Sequence, residues 1–505
     1  MNLLKDPWIP VRTDGGTGTF HQLTYQQLLC EAGSWQVSLP RDDMELACVQ
    51  LLVCMTQVIF LPEADKALRG RIAMPLSPND FARGVKPYKD WFDLDHPTQP
   101  FMQSRGVEGK LTTVQKLLPG LPEQTSTAPS AHCFFNEITE VRQIGGTVAA
   151  IALFNVASNS PSFGGGFKGS LRGGAPITTL VYGKDLHDTI WRNVLTRPRI
   201  AERQIEMPGF EQDQPTWVKP ILGKSIIHWN EIGLVRGLFW QPARVELVKS
   251  EALTPCDILG GEPTLGYTGF RCEKFSFTVE GVWPHPHGAM TMNLTRVPPK
   301  KFASFTTTAP AWTLLSEFVM PKGINDRDAK EGSIPAGPIS QARELSDADL
   351  HLLIGGYRTK QASVLERRHE MMSLAQGWQD DKDRLPKLVA IGKEAKKALR
   401  GKLYFVVQGN KEKGLQGIGA SIHETAEKLF YARTESLIHE TFSNALTFKE
   451  WASARAAFAQ QLAGHCRTIF KELTDPYAMK PELIPVIAWA RRSLNNDLKK
   501  LMEEA

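Results

Sequence analysis

Six of the eleven positions from Gly164 to Gly174 are glycine. No helix or long strand carries that density, because glycine has the most backbone freedom to lose on ordering. Pro161–Gly174 is therefore a loop, and one able to adopt positive φ and lie close against another surface. Successive free N–H groups in such a loop form an anion-binding concavity. Lys168 and Arg172 add full positive charges. The pattern points to a phosphate-bearing partner, either a nucleotide to be hydrolysed or a nucleic acid to be held.

Templates for hydrolysis fail. A Walker loop needs G-x-x-x-x-G-K-[ST]; here Phe167 precedes Lys168 and Gly169 follows it. A dinucleotide fingerprint needs a helix after the glycines, and Gly173–Gly174 argues against one. There is no G-x-S-x-G elbow. His423-Glu-Thr-Ala-Glu and His439-Glu-Thr-Phe-Ser both miss H-E-x-x-H. His285 and His287 flank a stiff proline without an evident third ligand, so packing explains them better than a metal. Asp42–Asp43 reads as an acidic helix N-terminus. The seven cysteines contain no C-x-x-C pair. No metal, cofactor or catalytic residue is expected.

At 505 residues the chain is too long for one core and suggests two to four domains. Its apolar fraction of 42% and charged fraction of 22% fit a globular protein and argue against disorder. The first residues lack the apolar core of a signal peptide, and the run Leu46–Leu61 is too short and too interrupted to span a bilayer. A cytoplasmic protein without membrane contact is expected.

The fold class expected is α+β: residues 1–375 a mixed domain with long loops, residues 376–505 an all-α four-helix bundle. Glu45–Phe60 is the clearest early helix. Thr178–Tyr182, Ala243–Val248 and Phe275–Val279 read as strands. Loops are expected around 104–145, 155–175 and 255–272. In the last part, Leu388, Ile391, Ala395, Leu399 and Leu403 form one helical stripe. Ser421–Glu424 and Thr447–Glu450 match capping boxes. The second opens a helix with Trp451, Ala454, Phe458, Leu462, Cys466 and Ile469 on one face. Pro481 suits the first turn of a last helix with Ile487, Ala490, Leu494, Leu498 and Leu501 inward.

Two further clusters carry charge. Residues 386–402 hold Lys387, Lys393, Lys396, Lys397, Arg400 and Lys402 against Glu394 alone. This is either a solvated helix face or a track for nucleic-acid backbone. Gly355–His369 puts a glycine turn before Lys360 and Gln361, with a helix expected to start near Ala362.

Taken together, the ordered blocks are specific. Asn2-Leu-Leu, Trp8-Ile-Pro-Val-Arg12, Ser38–Leu46, Phe163-Gly-Gly-Gly-Phe-Lys168, Leu238–Ala243, Trp283–His287 and Gln361–His369 closely resemble the large subunit of the type I-E CRISPR surveillance complex Cascade, the CasA family.

That resemblance implies a non-enzymatic DNA reader. It would find a short protospacer-adjacent motif in duplex DNA and help open the duplex beside it, so that a guide RNA pairs with one strand. Three elements would approach from the minor groove. The first is a glycine loop, Ser162, Gly164, Gly165 and Gly166, with Gly165 closest to the contacting residue. The second is a lysine finger, Lys274. The third is a glutamine wedge, Gln361, flanked by Lys360 and Ala362. Phe134, Phe135 and Asn136 would lie near the guide RNA. Lys168, Arg172, Lys393, Lys396, Lys397 and Arg400 are the candidate contacts to DNA backbone. Partners implied are the backbone, small and 5′-handle-binding subunits, the guide RNA, double-stranded target DNA and a recruited helicase–nuclease. The chemistry is consistent, since only a backbone stripped of side chains fits a narrow groove floor. A wedge offsets an unstacking cost of a few kcal/mol. Some relatives carry a cysteine cluster near 255–262. Here only Cys256 stands there, with Cys272 sixteen residues on, so no zinc site is carried over. Two other readings stand beside this one: a nucleotide-binding enzyme using the 162–174 loop, and a scaffold whose glycines only permit tight turns.

Overall fold

The computed structural model describes residues 1–121, 140–223, 225–324, 331–346, 348–360 and 362–505. The chain divides into two compact units. One comprises Met1–Thr307, Pro321–Leu345 and Leu352–Met371; the other comprises Thr308–Met320, Ser346–His351 and Met372–Ala505. The helical unit thus recruits two earlier segments besides the C-terminal run.

The first unit is built around the helix Asp42–Ile59, in which sixteen of eighteen residues are buried. A helix apolar on all sides must be enclosed on all sides. Asp42, Asp43 and Glu45 occupy its first turn, where the dipole favours anions. It packs against the helix Gly146–Ser158, which is buried from Thr147 to Ser158.

Small sheets surround this pair. Ile9–Arg12 lies between Phe20–Leu23 and Gln36–Val37, antiparallel to both. Leu350–Lys360 lies between Thr178–Val181 and Ser363–Leu374, with Leu352 opposite Val181 and Gly355 opposite Thr178. Ala243–Cys256 and Gly260–Lys274 form a long antiparallel hairpin whose register sets Ala243 opposite Lys274. Thr112–Thr113 pairs with the outer edge of its second strand.

Several expectations are corrected here. Residues 255–272 are not a loop: they are mostly strand, because Gly260 and Gly261 supply the positive φ that a tight return needs. Residues 155–158 finish a helix. Phe275–Phe277 is not strand, and pairing resumes only at Thr278–Glu280, parallel to Ile226–His228. No helix starts at Ala362; Ser363–Leu374 is a strand returning from a hairpin. Its alternation of exposed and part-buried residues is the two-residue period of a sheet edge.

In the second unit, four long helices carry the expected stripes: Arg384–Gln408, Ile422–Ser443, Trp451–Thr474 and Ile484–Glu504. Leu388, Ile391, Ala395, Leu399 and Leu403 are buried in the first, and Phe458, Leu462, Cys466 and Ile469 in the third. Ile487, Ala490, Leu494 and Leu498 are buried in the fourth. The first helix packs against each of the other three, as in a bundle. Gly392 is required here, because a Cβ would stand 2.7 Å from the Trp312 ring. The caps differ from expectation. Ser421 precedes its helix without a side-chain capping bond. Thr447 lies inside a short helix, Ala445–Lys449, capped by Asn444, whose side chain accepts from Leu446 N at 2.9 Å. No helix among the described residues is long and apolar enough to cross a membrane.

Candidate nucleic-acid interface

The glycine loop follows directly from the buried helix Gly146–Ser158. Gly164, Gly165 and Gly166 have φ of +75°, +53° and +83°. A side-chain-bearing residue in that region costs about 1–2 kcal/mol each. Phe167 N donates to Gly164 O at 2.9 Å, closing a tight turn on two left-handed central residues. Phe163 anchors the turn: its ring lies 5.5 Å from that of buried Phe270 and 5.7 Å from that of Phe167. Ser162 Oγ accepts from Gly164 N at 3.4 Å. At the tip, Gly165 is exposed, and a Cβ there would meet nothing within 4 Å. The turn thus presents bare backbone outward on an aromatic base.

Two distant segments meet this turn. Lys274 ends the hairpin strand that begins at Gly260 and carries Phe270. Its Nζ lies 5.5 Å from the centre of the Phe167 ring and 3.0 Å from where a Cβ on Gly166 would sit. Ala362, at the return between Leu350–Lys360 and Ser363–Leu374, has its Cβ 3.7 Å from the corresponding point on Gly164. Gly164–Gly166, Lys274 and Ala362 are therefore brought together by the fold. Exposed Lys360 ends the strand leading to that return. Gln361, Phe134, Phe135 and Asn136 lie outside the described residues. A cleft of about 240 Å³ runs beneath, between Ser160–Phe163, Lys116–Leu121 and Ala362–Val364.

Arg172 is corrected as a DNA-backbone contact. It is 4% exposed. Its Nη2 donates to Asn159 Oδ1 at 2.6 Å and Ser158 O at 2.9 Å, and Nη1 donates to Thr178 Oγ1 at 3.0 Å. Burial pushes its pKa down to about 9, so it remains a cation at neutral pH. Its place is inside the core, holding the end of the glycine segment. Lys168, by contrast, is exposed.

A buried polar chain that sequence reading missed lies under the site. Arg41 forms a two-pronged ion pair with Asp43, at 3.0 and 2.7 Å. Tyr357 Oη donates to Asp43 at 2.8 Å and accepts from Asn155 Nδ2 at 2.7 Å. Asn159 Nδ2 donates to Asn155 Oδ1 at 3.2 Å, and Asn159 in turn accepts from Arg172. The chain runs from the start of the Asp42 helix, through the strand leading to Lys360, to the foot of the glycine loop. Its members are spread from 41 to 357, and no local spacing reveals them.

His285 and His287 are buried and close together, with ring centres 5.1 Å apart. His285 Nδ1 accepts from His287 N at 3.1 Å. Burial, then the nearby Arg172, keeps both imidazoles below their ordinary range, His287 at about 3. Cys272 pairs with Val245 and Cys256 with Gly260, at opposite ends of the hairpin.

In the helical unit, four of the six cations of the basic tract form ion pairs within the chain. Lys396 and Arg400 both reach Glu427, at 3.1 and 2.8 Å. Lys397 pairs with Glu394 and Lys402 with Asp497. Lys387 and Lys393 are exposed.

Known proteins share this fold. The family described as CRISPR-associated protein Cse1 matches residues 2–469. Among solved structures, Thermobifida fusca Cse1 is similar at a TM-score of 0.76 and 17% identity, over 100% of this chain and 98% of that one. Thermus thermophilus CasA (Cse1) is similar at 0.70 and 17%, over 99% of both chains. A chain of a CRISPR RNA-guided surveillance complex is similar at 0.66 and 14%, over 98% of this chain and 99% of that one.

Proposed function

The chain belongs to the CRISPR-associated protein Cse1 family, and from that premise we propose that it is the DNA-reading subunit of an RNA-guided surveillance complex. In this reading it assembles with a guide RNA and with backbone, small and 5′-handle-binding subunits, and catalyses no reaction itself. One structural relative is a chain of a CRISPR RNA-guided surveillance complex, which supports the setting.

The observation that carries the reading is the meeting of segments at Gly164–Gly166. Bare backbone at Gly164–Gly166 meets Lys274 at Gly166 and the hairpin return at Ala362 at Gly164, with Gly165, Gly166 and Lys274 exposed. The minor groove is about 6 Å wide and offers acceptors on its floor. Glycine backbone can enter it, and Lys274 can donate to those acceptors while neutralising phosphate. Motif readout there is degenerate, so several motif sequences are tolerated. The return at 360–362, including Gln361, then acts as the wedge at the first base pair beyond the motif. Pairing with the guide follows, and the opened complex recruits a helicase–nuclease.

The test is duplex binding by the reconstituted complex, with and without the motif. Gly165→Asp puts bulk and negative charge at the open tip and should abolish motif-dependent binding while assembly stays intact. Unchanged affinity in that variant would sink the groove reading. Measurable ATP or GTP turnover by the purified chain, lost on changing Lys168, would favour the nucleotide-binding enzyme instead.

A further inference from the structure

Beside the glycine loop lies a second cleft, of about 330 Å³, that motif reading does not use. Its walls continue two segments of the site. Lys168–Gly173 runs on from the glycine turn, and Phe275 directly follows Lys274. The volume is at the lower end for small-molecule sites. It has room for a nucleobase and its sugar.

One wall is aromatic. Phe275 and Phe277 are stacked, with ring centres 4.7 Å apart and planes 22° from parallel. Trp240 meets Phe277 edge-on at 5.8 Å. Phe277 and Trp240 are buried, whereas Phe275 is half-buried, so its ring is the one offered to a ligand. The mouth is cationic. Lys168, Lys300 and Lys301 line it and are exposed, and none of the described lining residues is acidic.

An apolar wall alone would suit any hydrophobic group, and lysines alone would suit any phosphate. Their combination suits a flat ring carried on a polyanionic chain, the pattern of single-strand binding sites. A base inside a duplex cannot reach Phe275, because it is covered by its stacked neighbours. We infer that the cleft receives one unstacked nucleotide of a single nucleic-acid strand. Its base lies against Phe275, and its flanking phosphates face Lys168, Lys300 and Lys301. The inference rests on the motif-reading proposal only for the source of that strand, a duplex opened beside Lys274.

The test uses the purified full-length chain and a short thymidine oligomer with 2-aminopurine at its centre. Binding should quench the 2-aminopurine through stacking. Phe275→Ala should weaken binding about tenfold and remove the quench, whereas Phe275→Tyr should keep both. Lys300→Ala with Lys301→Ala should weaken binding and flatten its salt dependence, yet leave the saturated complex quenched. Lost quenching in that lysine pair would overturn the division of roles. Undiminished affinity and quench in Phe275→Ala would overturn the inference, as would a free nucleoside monophosphate binding as tightly as the oligomer. The Tyr and Lys variants keep the test readable should Phe275→Ala fold poorly. Failure of motif reading is distinct: Gly165→Asp would then leave motif binding of the complex unchanged while the oligomer still answers to Phe275.

Discussion

Tyr357 donates its hydroxyl to the Asp43 carboxylate at 2.8 Å, inside the core and across 314 positions of sequence. The bond ties the strand that leads to Lys360 to the first turn of the central helix. Through Asn155 and Asn159 it continues to Arg172, at the foot of the glycine loop. The strand that leads to Lys360 and the foot of the glycine loop are therefore held by one buried network. Such networks rigidify when every member is satisfied and cost heavily when one is not.

Tyr357→Phe removes a donor from Asp43 and an acceptor from Asn155 while keeping the ring. The expected loss is about 1–3 kcal/mol, read as a lowered midpoint in thermal or urea unfolding of the purified chain. Combined with Asp43→Asn, the losses should be less than additive, because both changes break the same contact. Full additivity would show that the two side chains act independently.

Lys168 and Arg172 should separate in opposite directions. Arg172→Ala leaves Asn159 and Thr178 without their buried partner and should cost about 3 kcal/mol of stability. Lys168→Ala, at an exposed position, should leave unfolding unchanged within about 0.5 kcal/mol and weaken DNA binding by the reconstituted complex. Equal unfolding midpoints for the two variants would remove Arg172 from its structural role.

Gly166→Ala sets a Cβ on a backbone with φ of +83° and 3.0 Å from Lys274 Nζ. The lysine can swing away, but the backbone strain of about 1–2 kcal/mol stays. Motif-dependent duplex binding should fall as the lysine is displaced. Lys274→Ala should reduce affinity for motif-bearing DNA more than for motif-free DNA. A uniform loss on both would make Lys274 a plain phosphate contact.

Acid should destabilise the first unit through His285 and His287. Their folded pKa values are lowered from 6.5, that of His287 to about 3. Above pH 6.5 both states hold neutral imidazoles and stability is level from this source. As pH falls through 6.5, the unfolded chain gains protons that the folded one refuses, so stability is lost progressively toward about 3. Unfolding midpoints of the purified chain between pH 6.5 and 5 should drop, and His287→Gln should flatten that slope. An unaltered slope would assign the acid sensitivity to other groups.

Glu427 accounts for two cations of the basic tract, Lys396 and Arg400. Glu427→Gln should free both and raise salt-dependent duplex affinity of the complex, at a cost in stability below about 1 kcal/mol. Unchanged affinity would mean that this helix face does not meet nucleic acid.

What the sequence determined was local or periodic. The density of glycine between 164 and 174 required a loop, because no other residue takes three consecutive left-handed positions without strain. The stripes at 388–403, 458–469 and 487–498 required amphipathic helices, because a 3.6-residue period leaves one face to bury. The resemblance of ordered motifs pointed to the right family. Tertiary structure decided the rest. Residues 255–272 became a hairpin and 363–374 a strand, since pairing to distant partners overrides weak local preference. Thr447 lost its capping place to Asn444. Two cations four residues apart, alike on paper, were sent to opposite fates: Lys168 to solvent, Arg172 to the core. Burial is set by what packs around a residue, and the partners of Arg172 come from other elements, at Ser158, Asn159 and Thr178. The approach of Gly166 to Lys274, and of Gly164 to Ala362, belongs to the fold alone, because it joins three segments separated by about a hundred residues each.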